Sequence, residues 1–137
     1  MTYVPVGTQV DVITTGAPAA IVLGGAGTGK TTTAAAAGAA HLRAADGARD
    51  QLRRDMVLAG NVDGIPPRAR ALFLSFSRTA VAQIIDRAAG VLGPLMDRID
   101  VVTFDGLAWR IVDDFGAMYG YPSPLRIASE IEHKVLG

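Results

Sequence analysis

The residues Gly24-Gly25-Ala26-Gly27-Thr28-Gly29-Lys30-Thr31 follow the spacing G-x-x-x-x-G-K-[ST], a pattern suited to holding a chain of phosphates. Triphosphate oxygens need many donors at short range. Gly25, Gly27 and Gly29 allow the backbone to curl so that successive N–H groups point inward. A helix opening at Lys30 adds its partial positive charge. Lys30 is expected to reach the β- and γ-phosphates as a point charge. Thr31 is expected to offer its hydroxyl to Mg²⁺, whose other ligands are water and phosphate. The expected nucleotide site is therefore Gly25, Ala26, Gly27, Thr28, Gly29, Lys30, Thr31 and Thr32, with Lys30 and Thr31 carrying the chemistry.

The surrounding elements fit that task. Residues 1–18 form a lead-in broken by Pro5, Gly7, Gly16 and Pro18 around a short segment, Gln9–Ile13. The apolar run Ala19–Leu23 reads as a buried strand, and Lys30 to about Ala45 as a helix capped by Gly47. Asp50–Ala59 reads as a second helical stretch, with Leu52 and Met56 on one side, and Gly60–Arg70 as loop. Ala71–Phe76 is apolar nearly throughout, as a strand covered on both faces should be. Ser77 is placed to cap a helix from Thr79 to about Ala89, which Gly90, Gly93 and Pro94 end. Ile99–Thr103 is a third strand, and Asp105 is placed to cap a helix to about Met118. Gly120, Pro122 and Pro124 make a turn. Leu125–Ala128 reads as a short strand, with Ser129 capping a last helix to Leu136. Strand–helix repetition of this kind predicts an α/β domain with a parallel sheet and right-handed connections. Ligands then bind at the carboxyl ends of strands, so the glycine-rich loop, Ser75–Thr79 and Thr103–Asp105 should share one edge.

Bulk composition narrows the class. The length of 137 residues suits one domain, and with 50% hydrophobic and 19% charged residues the chain can bury a core. Zero formal net charge advertises no strong nonspecific grip on nucleic acid, although a local basic strip is compatible with it. No cysteine is present, so disulfides and thiolate metal sites are excluded. His41 and His133 lie far apart and suggest no metal cluster. No run is long enough to span a membrane, and no basic residue precedes Lys30 to start a signal peptide, so the expectation is a cytoplasmic protein.

Three further segments give the loop a context. Gln9 stands 21 positions before Lys30. With the loop continuing Lys30-Thr31-Thr32, this resembles the UvrD/Rep-type helicases of superfamily 1, which carry a glutamine at a similar distance. The resemblance implies that Gln9 reads adenine, since one amide can donate to N7 and accept from N6. Leu74-Ser75-Phe76-Ser77-Arg78-Thr79-Ala80-Val81 resembles the family's T-F-T-N-K-A-A corner, with Arg78 and Thr79 in place of Asn and Lys. Val102-Thr103-Phe104-Asp105-Gly106-Leu107-Ala108-Trp109-Arg110 resembles T-F-H-[GS]-[FL]-A-x-R, with Asp105 where histidine is common. A carboxylate there repels a phosphate backbone and suits a helix cap better. Gly120 to Ile127 resembles the stretch before the family's first inserted subdomain.

The resemblance implies a P-loop NTPase of RecA-like fold, with a partial parallel sheet flanked by helices. It implies ATP and Mg²⁺ as cofactors, and single-stranded DNA touched by Ser75, Phe76, Ser77, Arg78, Thr103 and Phe104. The same residues admit a plainer reading, with Phe76 and Phe104 in the core and Ser77 as a cap. Residues 1–137 would be the N-terminal portion of an ATP-dependent 3′–5′ DNA helicase of replication or repair, with 1–18 as an adenine-side lead-in and 45–70 as a surface insertion. The remainder of the helicase chain would be its partner, with no membrane involved. An acidic strand end, a glutamine sensor and a second motor domain are not found. Ile111-Val112-Asp113-Asp114-Phe115 imitates the acidic motif, but Leu107, Ile111 and Phe115 follow helical spacing. ATP binding is thus expected and efficient hydrolysis by this chain alone is not. A non-hydrolysing ATP-binding remnant and a small P-loop kinase are the alternatives. An incomplete sheet is expected to leave an unpaired edge and uncovered apolar surface.

Overall fold

In the computed structural model, residues 4–61 and 63–126 are described. The sheet is set by two short segments, β1 (Ala71–Ser75) and β2 (Ile99–Thr103), paired in parallel with Ala71 opposite Ile99 and Ser75 opposite Thr103. Alternate residues of a strand face opposite sides. Ala71 and Phe73 therefore share a face with Ile99 and Val101. Against that face lie α2 (Lys30–Leu58) and α3 (Arg78–Leu92), closing a core of Ala35, Ala39, Leu42, Ala88, Leu92 and Ile99. Small residues on α2 bring it close: a methyl group on Gly38 would sit 3.3 Å from the Phe73 ring.

The other face of the sheet is only partly covered among the described residues, with Asp100 and Val102 of β2 half-buried and the β1 side open. Leu72 is 49% and Leu74 37% exposed, which corrects the expectation of a strand buried on both sides. Ala19–Leu23 is corrected too. It forms no strand, and Ile21 and Leu23 are 88% and 89% exposed. A strand exists through its ladder, and among the described residues the sheet is two-stranded and offers this segment no partner. The lead-in contains a short helix, α1 (Thr8–Thr14), which packs on α2.

Helix α2 runs unbroken for 29 residues, through Gly47 rather than stopping there, and merges the two expected helices. An interior glycine costs only about 1 kcal/mol relative to alanine. Contacts on both sides of Gly47 offset it. Arg49 Nε donates to the Pro66 carbonyl at 2.8 Å, and Asp46 accepts from Arg98 Nη1 at 2.6 Å. Arg98 is buried, its Nε donates to the Ala69 carbonyl at 2.9 Å, and its Nη2 has no partner. This guanidinium fastens the middle of α2 to the amino-terminal ends of both strands.

Ser77 caps α3 as expected, its hydroxyl accepting from the Ala80 amide at 3.1 Å. The cap of α4 (Phe104–Phe115) is Thr103, which accepts from the Gly106 amide at 3.0 Å, and not Asp105. The strand ends at Thr103 in extended backbone, so its oxygen is the one at cap distance. Asp105 falls in the first turn, where a negative charge still suits the helix dipole. Helix α3 continues past Gly90 to Leu92, and α4 gives way to a 3₁₀ turn at Gly116–Tyr119. Leu125 and Arg126 are irregular; the rest of the expected strand to Ala128 and the helix after Ser129 lie outside the described residues.

Candidate functional site

Three contacts fix the direction of α2 against the sheet. Arg49 and Asp46 meet residues just before β1 and β2, at Pro66 and Arg98. Gly38 meets Phe73 in mid-strand. Continuing the same way, the first turn of α2 lies beyond the carboxyl ends of the strands. Lys30 is about 12 Å of helix from Gly38. The glycine-rich loop thus belongs to the same edge as Ser75 and Thr103.

Gly27 and Gly29 have φ of 78° and 81°, backbone that other residues resist. Inside the loop, the Thr28 hydroxyl donates to the Gly25 carbonyl at 2.9 Å. Lys30 Nζ donates to the Gly24 carbonyl at 2.6 Å and also to that of Gly25. The ammonium is therefore folded into the loop that precedes it. Thr31 and Thr32 are half-buried on the first turn of α2, and Ala26 is exposed at the loop tip. Gln9, on α1, donates from Nε2 to the Thr28 carbonyl at 3.4 Å and accepts from the Val6 amide at 3.2 Å. A cavity of about 370 Å³ lies between them, lined among others by Gln9, Val12, Val22, Gly24, Thr28 and Lys30. Val6 and Val12 were not singled out from sequence; Val12 stands three residues after Gln9 on α1, the helical spacing that puts both on one side.

A second cleft lies at the two corners. The Phe76 and Phe104 rings stack, with centroids 4.7 Å apart and planes 28° from parallel. Phe76 is 90% exposed, so it is not core. A cleft of about 370 Å³ beside them is lined by Phe76, Arg78, Thr103, Asp105, Gly106 and Trp109. Ser75 is half-buried at the end of β1. The Ser77 and Thr103 oxygens accept capping bonds, which leaves each hydroxyl hydrogen to donate. Trp109 was also missed. It stands four residues after Asp105 on α4, and such spacing puts both on one side of a helix.

Other features fall away from these clefts. Asp113 and Asp114 are exposed on α4, so the imitation of an acidic strand end is helical. A hollow of about 560 Å³ along the far half of α2 is lined by Asp50, Arg53, Arg54, Val57 and Leu58, all from one helix, and it gathers none of the residues above. No group of three or more metal-ligating side chains occurs among the described residues, and no described helix is long and apolar enough to cross a membrane. The Arg98 hydrogen bond holds the Asp46 carboxyl below the ordinary carboxylate range against partial desolvation, helped by the charges of Arg98, Arg68 and Arg49.

The structure is an α/β unit in which a glycine-rich loop and two aromatic corners occupy the carboxyl edge of a parallel pair of strands. The chain belongs to the UvrD/REP helicase N-terminal domain family, whose model matches residues 7–136. No curated protein and no solved structure matches it.

Proposed function

We propose that this chain is the ATP-binding segment of a DNA helicase motor of the 3′–5′ translocase type, working on single-stranded and duplex DNA in replication or repair. In this reading residues 1–137 are the N-terminal portion of a RecA-like P-loop domain, with 1–18 beside the adenine and 45–70 as a surface insertion. The observation that carries it is the convergence of Lys30, Thr28 and Gln9 on one cavity at the start of α2. The phosphates would take the place of the Gly24 and Gly25 carbonyls as partners of the Lys30 ammonium. Loop amides of Gly25–Gly29 and the amino terminus of α2 would supply the remaining donors. Thr31, with Thr32 beside it on the first turn of α2, would offer its hydroxyl to Mg²⁺; one hydroxyl suits an ion that otherwise keeps water and phosphate oxygens. The ion would neutralise charge on the β- and γ-phosphates.

The stacked Phe76 and Phe104, with Ser75, Ser77, Arg78 and Thr103, form the DNA side. Exposed aromatics that share an edge with a nucleotide site support a base-stacking role. We further propose that the chain alone binds ATP and turns it over poorly. The test is ATP binding by calorimetry in the wild type and in Lys30→Ala. Loss of binding in the variant is expected, and wild-type affinity there refutes the assignment. A longer chain encoding an acidic strand end is expected to show DNA-stimulated hydrolysis; its absence in that chain refutes the motor reading.

A further inference from the structure

Asp105 is a misfit for a surface that only grips a phosphate backbone. It lines the cleft whose other walls are Phe76, Arg78, Thr103, Gly106 and Trp109. Trp109 is 43% and Phe76 90% exposed, so the cleft presents ring surface from both residues. Flat apolar walls with a few polar groups between them suit an unstacked base. We propose that this cleft takes one base of single-stranded DNA and prefers guanine, with Asp105 reading its Watson–Crick edge and Trp109 stacking on it. The proposal rests on the single-stranded DNA reading above and adds the identity of the base.

The preference follows from hydrogen-bond inventory. A carboxylate only accepts. Guanine alone offers two adjacent donors, N1–H and the N2 amino group, that a carboxylate can receive together. Cytosine and adenine each offer one amino group beside a ring nitrogen that repels the second oxygen. Thymine places its N3–H between two carbonyls. Thr103 completes the match. Its oxygen already accepts from the Gly106 amide, so its hydroxyl hydrogen is left to donate, the complement of guanine O6. Arg78, on the same cleft, supplies the cation for the adjoining phosphate. The carboxylate then faces a base and the guanidinium faces the backbone, which removes the conflict between Asp105 and a polyanion.

The sole tryptophan of the chain makes the cleft directly observable. The full chain is titrated with short thymidine strands that carry one guanine, cytosine, adenine or thymine at the centre, following labelled-strand anisotropy and Trp109 emission. The guanine strand is expected to bind about five- to tenfold more tightly than the all-thymine strand and to change Trp109 emission. Asp105→Ala and Asp105→Asn are expected to level the four affinities while all-thymine binding persists; Asn retains helix-start propensity should Ala unfold the corner. Free deoxyguanosine monophosphate is expected not to compete at concentrations where the strand binds. Equal affinities for the four strands with a Trp109 response overturn the guanine preference and leave the DNA reading standing. A preference that survives both substitutions removes Asp105, and competition by the free nucleotide at strand-binding concentrations reassigns the cleft. No binding by any strand overturns the DNA reading itself and this inference with it.

Discussion

Replacing Gly29 by alanine tests the loop at its most constrained point. Gly29 has φ of 81°, where a side chain costs about 1–2 kcal/mol. The new methyl would stand 3.2 Å from Gln9 Nε2, tighter than an ordinary contact, so the amide that donates to the Thr28 carbonyl at 3.4 Å has to move. Weakening that bond adds about 0.5–1.5 kcal/mol. Together these penalise the binding-ready loop by about 2 kcal/mol, which is a loss of about 30-fold in ATP affinity. Gly25 is the control. Its φ is not in the positive region and a methyl there meets nothing within 4 Å, so Gly25→Ala is expected to lose no more than about threefold. Both are measured by calorimetry with a non-hydrolysable ATP analogue and Mg²⁺, with circular dichroism to confirm that α2 persists. Equal losses in the two variants, or wild-type affinity in Gly29→Ala, refute the loop geometry as the basis of binding.

Three further outcomes are expected. Gln9→Ala should relax the preference for ATP over GTP; unchanged discrimination in competition binding removes Gln9 from the adenine side. Asp46 has a folded-state pKa below its ordinary 3.8, so its contribution is present above that value and fades as pH falls through the folded pKa. Asp46→Asn should therefore melt several degrees lower at neutral pH, with the gap to wild type closing in acid; a gap that widens in acid contradicts the ion pair. With Ile21, Leu23, Leu72 and Leu74 exposed, the isolated chain should self-associate, detectable by light scattering, and Ile21→Thr with Leu23→Thr should reduce it. A reversible monomeric melt of the wild type at high concentration speaks against that.

The parts of the fold legible in the sequence are those set by local chemistry. The bounds of β2, the start of β1 and the Ser77 cap follow from apolar runs and a hydroxyl at the right offset. The misreadings came from longer range. Ala19–Leu23 has the composition of a strand, but a ladder needs a second strand that local sequence does not reveal. Gly47 looks like a helix end until Arg98, distant in sequence, ties Asp46 down. Asp105 and Thr103 are both good caps, and only the point where β2 stops chooses between them. At the candidate site, the loop and the two corners were readable as motifs. Their common edge depends on the direction of α2, and Trp109 entered only through the cleft it lines.

The uninterrupted course of α2 has a mechanical meaning. A rod of 29 residues spans about 43 Å. It begins at the loop around Lys30 and ends at Leu58, well past the Arg98 anchor near its midpoint. A straight helix bends little, so a tilt of its first turn swings the opposite tip the other way about that fulcrum. With about 20 Å on either side, a rocking of 5° displaces each tip by about 2 Å. A change in what the Lys30 ammonium grips would thus be felt among Arg53, Arg54 and Leu58, on the far side of the molecule.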